Sequence, residues 1–514
     1  MSRFGFCGPS YVSTSPNVDA EECINFYVEQ VEGQGKTTMA LYPTPGLNPV
    51  SKLVNETAIW GQKWVPSLGR YFVAGTHLYE LDVNFFITDL GALTTPTGPI
   101  TMICNQTQLL ICSAGLLWVL TFSSNVLTPL DGIGPDPVSP YPGNVATIGF
   151  SDGFAVAVQS SPADIALSAI GDFTSWNAIN TSAISLFPDN IVSMVVDHRE
   201  LVLFGNTKSV VYANAGAAIF PFQPIPGAFI EQGADSLNGQ VQLDNSVFWT
   251  SFDDRGHLVA YRSQGYVGIR VSNHAVEQQW QQYSTTSDLI SYSVQMNGHP
   301  WWHLYFPTAG VSWRYDVATG MWHKVAGFLN GNFIPHNTQN HAFAFGKHLM
   351  GDWASPTIYE MAMPSFNGST WDFCTDGQQL IRRLRRTPYV QFETERIFHN
   401  RLQFDLEVGL GPISAFRIGR GKFLTGNPRA PQLNLRWSND SAKTWSDNVV
   451  LNCGQAGQYS ARVFATRLGS TLHGRVYEVS MSDPVPFRFA NAYLDADPGY
   501  KPSQRLADRL GAVS

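Results

Sequence analysis

Arg70-Tyr71-Phe72-Val73-Ala74-Gly75-Thr76-His77-Leu78-Tyr79-Glu80-Leu81 is an apolar run, a glycine-containing turn and a run that alternates apolar with polar. A strand, a tight turn and a second strand have this pattern, so the stretch predicts a β-hairpin. The same plan recurs at Leu109–Leu120 and Leu201–Tyr212, with further apolar runs at Gly153–Val158, Ser246–Thr250 and Trp301–Phe306. These hairpins return roughly every 40–50 residues, the length of one four-stranded propeller blade. Residues 51–365 therefore predict a β-propeller of six or seven blades, with two stacked sandwiches as the structural alternative. In that propeller the innermost strands are expected to be uninterrupted and apolar, like Ile191–Val196, and the outer ones alternating, like Val311–Val317.

Working outward, Gly8-Pro9, Ser15-Pro16-Asn17, Gly33-Gln34-Gly35 and Tyr42-Pro43-Thr44-Pro45-Gly46 punctuate the start of the chain. Residues 1–50 read as an extended N-terminal arm, or as a peripheral strand on the domain that follows. Beyond Ser365–Ser369 the composition shifts, and Arg401–Val408, Gln432–Trp437 and Arg475–Met481 alternate cleanly. Residues 366–514 predict a compact antiparallel β-domain of sandwich type. Gly409–Pro428 reads as an exposed loop, and Ser503–Leu510 as two helical turns capped by Ser503. The fold class is all-β.

Composition agrees. Of 514 residues only 14% are charged, whereas 13% are aromatic, and there are 45 Gly and 31 Pro. An ordinary soluble domain carries about 25% charge. Coiled coils and helical solenoids need Ala, Glu, Lys and Leu in quantity and are disfavoured. A surface so poor in charge needs uncharged polar groups or other chains to cover it. The net charge of −8 is uneven: residues 1–365 hold 13 Lys/Arg against 27 Asp/Glu, and residues 366–514 hold 19 against 13. Neither Lys nor Arg occurs between Arg70 and Arg199. Gripping nucleic acid requires cations against phosphates, so the first two-thirds are unsuited to it.

Six cysteines, Cys7, Cys23, Cys104, Cys112, Cys374 and Cys453, include no CxxC pair, which disfavours a zinc ribbon and suggests buried thiols. The start has no signal-peptide pattern, and no apolar run is long enough for a transmembrane helix, so no membrane insertion is expected. His299 and His303 would lie about 13 Å apart in an extended chain, too far to share a metal ion. Phosphate-loop, GxSxG and HExxH motifs are missing. Asp197-His198-Arg199-Glu200 and Asp253-Asp254-Arg255-Gly256 are polar clusters at strand-to-turn transitions, where such residues satisfy backbone groups. No catalytic residue, metal or cofactor is expected.

Two further features stand out. Ser438-Asn439-Asp440-Ser441-Ala442-Lys443-Thr444-Trp445 fits a degenerate Asp-box with Ala442 in place of glycine. Ser438, Asp440, Thr444 and Trp445 are read as a structural turn in which Asp440 accepts backbone N–H bonds and Trp445 packs beneath. Arg382, Arg383, Arg385 and Arg386 form the densest basic cluster; the functional reading is a docking patch for an acidic surface, and the bland one is a solvated strand with Leu384 turned inward.

Taken together, several stretches resemble a family of short-tailed bacteriophage proteins, the packaged-DNA stabilisation or tail adaptor/nozzle (tail hub) proteins. They are Asn25–Glu29 with Lys36 and Ala40–Leu47, Val196–Leu201, Ile225–Gly233, Tyr315–His323, Leu435–Trp445, Arg467-Leu468-Gly469 and Glu478–Pro484. The resemblance implies a non-enzymatic virion tail protein, assembled in the host cytoplasm. It implies a homo-oligomer, six copies in a ring below the portal and tail adaptor proteins. That ring would anchor tail fibre or spike/needle proteins and pass double-stranded DNA without sequence-specific binding. A carbohydrate-binding propeller, with Trp301, Trp302 and Trp313 stacking on sugars, is the alternative function.

Overall fold

A computed structural model describes residues 2–499 except 32, 34–35, 95, 97, 131–142, 160–162, 185–188, 369, 392–394, 412–416, 419–421, 424–429 and 473. Most of Gly409–Pro428, and all of Ser503–Leu510, lie outside the described residues. By internal packing the chain forms two units. One is Leu47–Gly320 with Ile334–Ala362; the other is Met1–Gly46 with Met321–Phe333 and Met363–Ser514.

The first unit is a β-propeller with seven blades among the described residues. Their innermost strands are Ile59–Val65, Thr101–Cys104, Val145–Ser151, Ile191–Asp197, Val241–Leu243, Ile290–Met296 and Thr338–Ala344. Each touches the next, and the last touches the first, so the ring is closed. Hairpins build every blade outward in antiparallel steps. In the opening hairpin Ala74 pairs with His77 across Gly75-Thr76, and Gly75 has φ +54, a conformation glycine adopts without strain. The fourth strand of blade 7 is Gly46–Lys52, from the other end of the propeller segment.

Period-two alternation welds the blades together. In the second strand of blade 1, Tyr71 and Val73 pack toward blade 2, and Phe72 and Ala74 toward blade 7. In blade 2, Leu109 and Ile111 face back while Leu110 and Cys112 face forward. Blade 4 repeats this with Leu201 and Leu203 against Val202 and Phe204. Both faces of these strands are buried, so their sequences are continuous apolar runs. This corrects the expected strand assignment. The uninterrupted runs belong mostly to second strands; innermost strands alternate because one face lines the central bore. Val311–Asp316 is likewise almost wholly buried instead of alternating. Trp301, Trp302 and Trp313 are fully buried, so none is a sugar platform.

The second unit is a sandwich. One sheet contains Phe26–Gln30, Met39–Pro43, Phe489–Pro498, Ile397–Leu406 and Val463–Thr466. The other contains Ala20–Ile24, Arg383–Arg386, Val476–Met481, Gln432–Ser438 and Val449–Asn452. Phe26, Phe404 and Phe489 from the first meet Cys23, Tyr477 and Val479 from the second in one core. Within the first 46 residues, the strands Ser2–Phe4, Tyr11–Val12, Ala20–Ile24, Phe26–Gln30 and Met39–Pro43 are built into the two sheets. Asn25, at φ 59, is the corner between them. Its Nδ2 donates to the Ala326 and Arg382 carbonyls at 2.8 Å each, and its Oδ1 accepts from the Ala326 N–H at 2.9 Å. None of the six cysteines forms a disulfide.

Two buried propeller histidines make stability depend on pH. His336 and His341 are both pushed down to about 3, first by burial and then by the positive field of Arg314 and of His348 respectively. The unfolded chain takes up these protons near 6.5. It therefore binds more protons than the folded chain below that pH, and the contribution to stability declines from about pH 6.5 toward about 3. Urea unfolding at about pH 7 and about pH 4.5 should show this loss, and His336→Gln should reduce it. An equal loss in wild type and variant would remove His336 as a cause.

Candidate functional site

The Arg382–Arg386 cluster is not an open docking patch. In a strand with both neighbours paired, alternate side chains point to opposite faces, and here both faces are covered. Arg383 and Arg385 are fully buried. Arg385 donates to the Phe6 carbonyl at 2.6 Å and the Pro9 carbonyl at 2.8 Å, and forms an ion pair with Glu21. Arg386 bridges Glu478 at 2.8 Å and Glu22 at 3.2 Å, and Lys324 reaches Glu22 at 2.9 Å. Arg382 lies over the Phe328 ring at 4.8 Å. Burial pushes the Arg383 guanidinium down, with the Asp376 carboxylate nearby opposing the shift. Of the charge that reads as a surface feature, Arg385 and Arg386 pair with carboxylates inside the sandwich and Arg383 is fully buried.

The Asp-box-like turn forms. The Asp440 carboxylate accepts the Thr444 N–H at 2.8 Å and the Thr444 hydroxyl at 2.5 Å. Ser438 Oγ donates to Asp440 at 2.7 Å and accepts the Ala442 N–H at 2.9 Å. The Thr444 bonds, with Ser438 after them, hold the Asp440 carboxyl down at about 2. Trp445 has a different role from that expected. Its ring lies 5.0 Å from the Arg386 guanidinium and 4.6 Å from that of Arg436, and both arginines bind the buried Glu478. The turn thus ends on a cation–π stack around a buried carboxylate.

The propeller bore is lined by one or two uncharged polar side chains from each blade, among them Gln62, Thr101, Thr147, Ser193, Gln240, Ser291 and Gln339. Its cavity measures about 230 Å³. Gln339 and Asn340 of blade 7 donate to the Ile59 carbonyl of the adjoining blade 1 at 2.8 and 2.7 Å. A water occupies about 30 Å³, so the cavity holds roughly seven or eight waters. A DNA duplex, whose major groove alone is about 12 Å wide, does not fit.

Other candidate groups are structural. Asp253 accepts the Arg255 and His257 N–H groups at 2.9 and 2.8 Å. His299 pairs with Asp316 at 2.7 Å, and His303 stacks on Tyr292 at 4.5 Å. Among the described residues no group of three His, Cys, Asp or Glu side chains is placed to hold a metal ion. No described helix is long and apolar enough to cross a membrane.

Two family models match the chain. That of the bacteriophage P22 Gp10 β-propeller covers residues 23–365, and that of the P22 Gp10 β-sandwich covers residues 382–497. The chain belongs to the bacteriophage P22 Gp10 family. It is thus a structural protein of the phage tail, and its place is the virion. No curated protein matches it. Among solved structures it is similar to YCF48 from Cyanidioschyzon merolae, at 12% identity over 62% of this chain and 98% of that one, TM-score 0.39. It is also similar to Hsv2 of Kluyvelomyces marxianus, at 10% identity over 56% and 90%, TM-score 0.31. PorZ of Porphyromonas gingivalis is similar at 9% identity over 69% and 44%, TM-score 0.36.

In this Gp10-family chain the residues that sequence reasoning passed over are the acidic partners Glu21, Glu22 and Glu478. One signal was present. Glu478 is the one charged residue of the strand Val476–Met481, and Arg436 pairs with it across the sheet. A charge buried at such a position needs a partner.

Two substitutions test these assignments. Arg385→Ala leaves Glu21 and two carbonyls without their donor and should cost about 3–5 kcal/mol in urea unfolding; a cost under about 1 kcal/mol would return Arg385 to the surface. Ala442 has φ 65, so Ala442→Gly should relieve left-handed strain and stabilise the sandwich by up to about 1 kcal/mol. A loss of stability in Ala442→Gly would refute the strain.

Proposed function

We propose that this protein is the nozzle or adaptor ring of a short tail, continuing the DNA channel below the portal and tail adaptor proteins and helping to retain the packaged genome. The reading adds a homo-oligomeric, six-copy ring that is assembled in the host cytoplasm and anchors tail fibre or spike/needle proteins. The supporting observation is how charge is used. The propeller region is strongly acidic, and Arg385 and Arg386 of the sandwich strand are committed to internal carboxylates. A conduit must let DNA slide, and weakly cationic walls meet that need because they release few counterions on contact. The bore of one propeller is too small for a duplex, so in this reading the DNA path is bounded by several copies. Neither sandwich nor propeller then needs a catalytic group.

Burial of Trp301, Trp302 and Trp313 withdraws the side chains on which the carbohydrate alternative rested.

Phage particles made without this protein should lose DNA after packaging and lack distal tail parts; particles that keep genome and full tail would sink the proposal. The purified chain should show no measurable retention of duplex DNA at about 0.15 M salt. Tight binding with a steep salt dependence would contradict a low-friction wall.

A further inference from the structure

A polar cleft of about 780 Å³ opens at one end of blades 4, 5 and 6. It lies in the range of ligand-binding clefts, about 300–1,000 Å³. His198 and Glu200 form one lip, Asp244-Asn245 another, and the turn Gly265-Tyr266 the third. Both His198 and Arg199 have positive φ, 48 and 68. The equivalent turns of neighbouring blades use Asp152-Gly153, Asp244-Asn245, Asn297-Gly298 and Phe345-Gly346. Each of those contains a Gly, Asn or Asp, the residues that tolerate this conformation; His198-Arg199 contains none. Strain of this kind persists where a side chain must be held in place.

What the strained turn holds is visible. His198 Nε2 is 2.7 Å from Asn245 Oδ1 of the next blade, and Arg199 Nε donates to Asp152 of the previous one at 2.7 Å. Tyr266 OH donates to Glu200 Oε1 at 3.0 Å, and Arg262 donates to Asp244 Oδ2 at 2.9 Å. Each of these two carboxylates is therefore fixed through one oxygen and keeps an acceptor for a ligand. Tyr266 and Ile269 supply exposed apolar surface at 37% and 44%. Three carboxylates, Asp197, Glu200 and Asp244, face one arginine, Arg262, which disfavours an anionic guest.

We propose that this cleft binds a neutral oligosaccharide. A sugar ring presents hydroxyls at its edge, which suit fixed carboxylate, amide and guanidinium groups, and an apolar C–H face, which suits the flat ring of Tyr266. The bonds between blades order the site before binding and lower its entropic cost. Such a site goes beyond the channel role and does not depend on it. It would give the tail a weak contact with glycans of the host surface.

The full-length protein should be tested on an array of neutral and sialylated bacterial-surface glycans, with pentalysine titrated in parallel. Neutral glycans should bind, and Glu200→Gln and Tyr266→Ala should each weaken them about tenfold or more while the melting temperature stays at the wild-type value. Phe252→Ser, an exposed change at the far end of its strand, should leave binding unchanged. Preference for sialylated glycans, equal binding by both cleft variants, or no glycan binding at all would overturn the proposal. So would binding of pentalysine alone, which would make the cleft a docking groove for a basic protein segment.

Discussion

Closure of the propeller ring is the constraint on which the first unit depends. Six interfaces between blades form from segments that follow one another along the chain. The seventh joins blade 7 to blade 1, and blade 7 is completed by Gly46–Lys52, pairing the two ends of the propeller segment. Without that strand the edge of Thr357–Ala362 would present unpaired backbone groups, a template for association. The shared core of Ile59, Phe72, Leu349 and Ile358 would lose its support. Closure is a long-range event, so it is entropically expensive and kinetically late. Its reward is that both faces of every second strand become interior.

That geometry explains the composition. A second strand sandwiched between neighbouring blades has no solvent face, so Leu109–Ser113 and Trp301–Phe306 carry no acidic or basic side chain except His303. Repeating such strands around the ring lowers the charged fraction of the whole chain. Aromatics fill the wedge between blades, as where Phe248 meets Trp302 at 5.6 Å. Low charge is thus first a consequence of propeller packing, and only secondarily a statement about partners.

Hairpins were legible because turn chemistry and period-two alternation are local. Blade starts at residues 59, 101, 145, 191, 241, 290 and 338 follow the spacing of the sequence repeat. The position of each strand within its blade was not legible, since burial on both faces is a property of neighbours, not of the strand. Met321–Leu329 lies beside Val311–Asp316 as the outer strand of blade 6, and Met321–Phe333 also packs with the sandwich unit. Trp322, Val325 and Phe328 have the same pattern as any blade strand, and only the partner Ile24 beside Lys324 distinguishes them. In the candidate site, Ser438, Asp440 and Thr444 were readable because an Asp-turn bonds within four residues. Arg385 was not: its partners Phe6, Pro9 and Glu21 lie more than 360 positions away in the chain.

The same limit governs what charge means in this protein. A cluster such as Arg382–Arg386 has one sign in sequence, but its effect is set by what the fold brings against it. Glu21, Glu22 and Glu478 hold two of its four arginines, Arg385 and Arg386, in internal ion pairs, whose low-dielectric surroundings make them strong and costly to break. Arg383 and Arg385 are fully buried, so the exposed charge of this strand is smaller than its Lys/Arg count suggests. Burying arginine in this strand therefore orders the fold, through Glu21, Glu22 and Glu478, without adding the same charge to the protein surface.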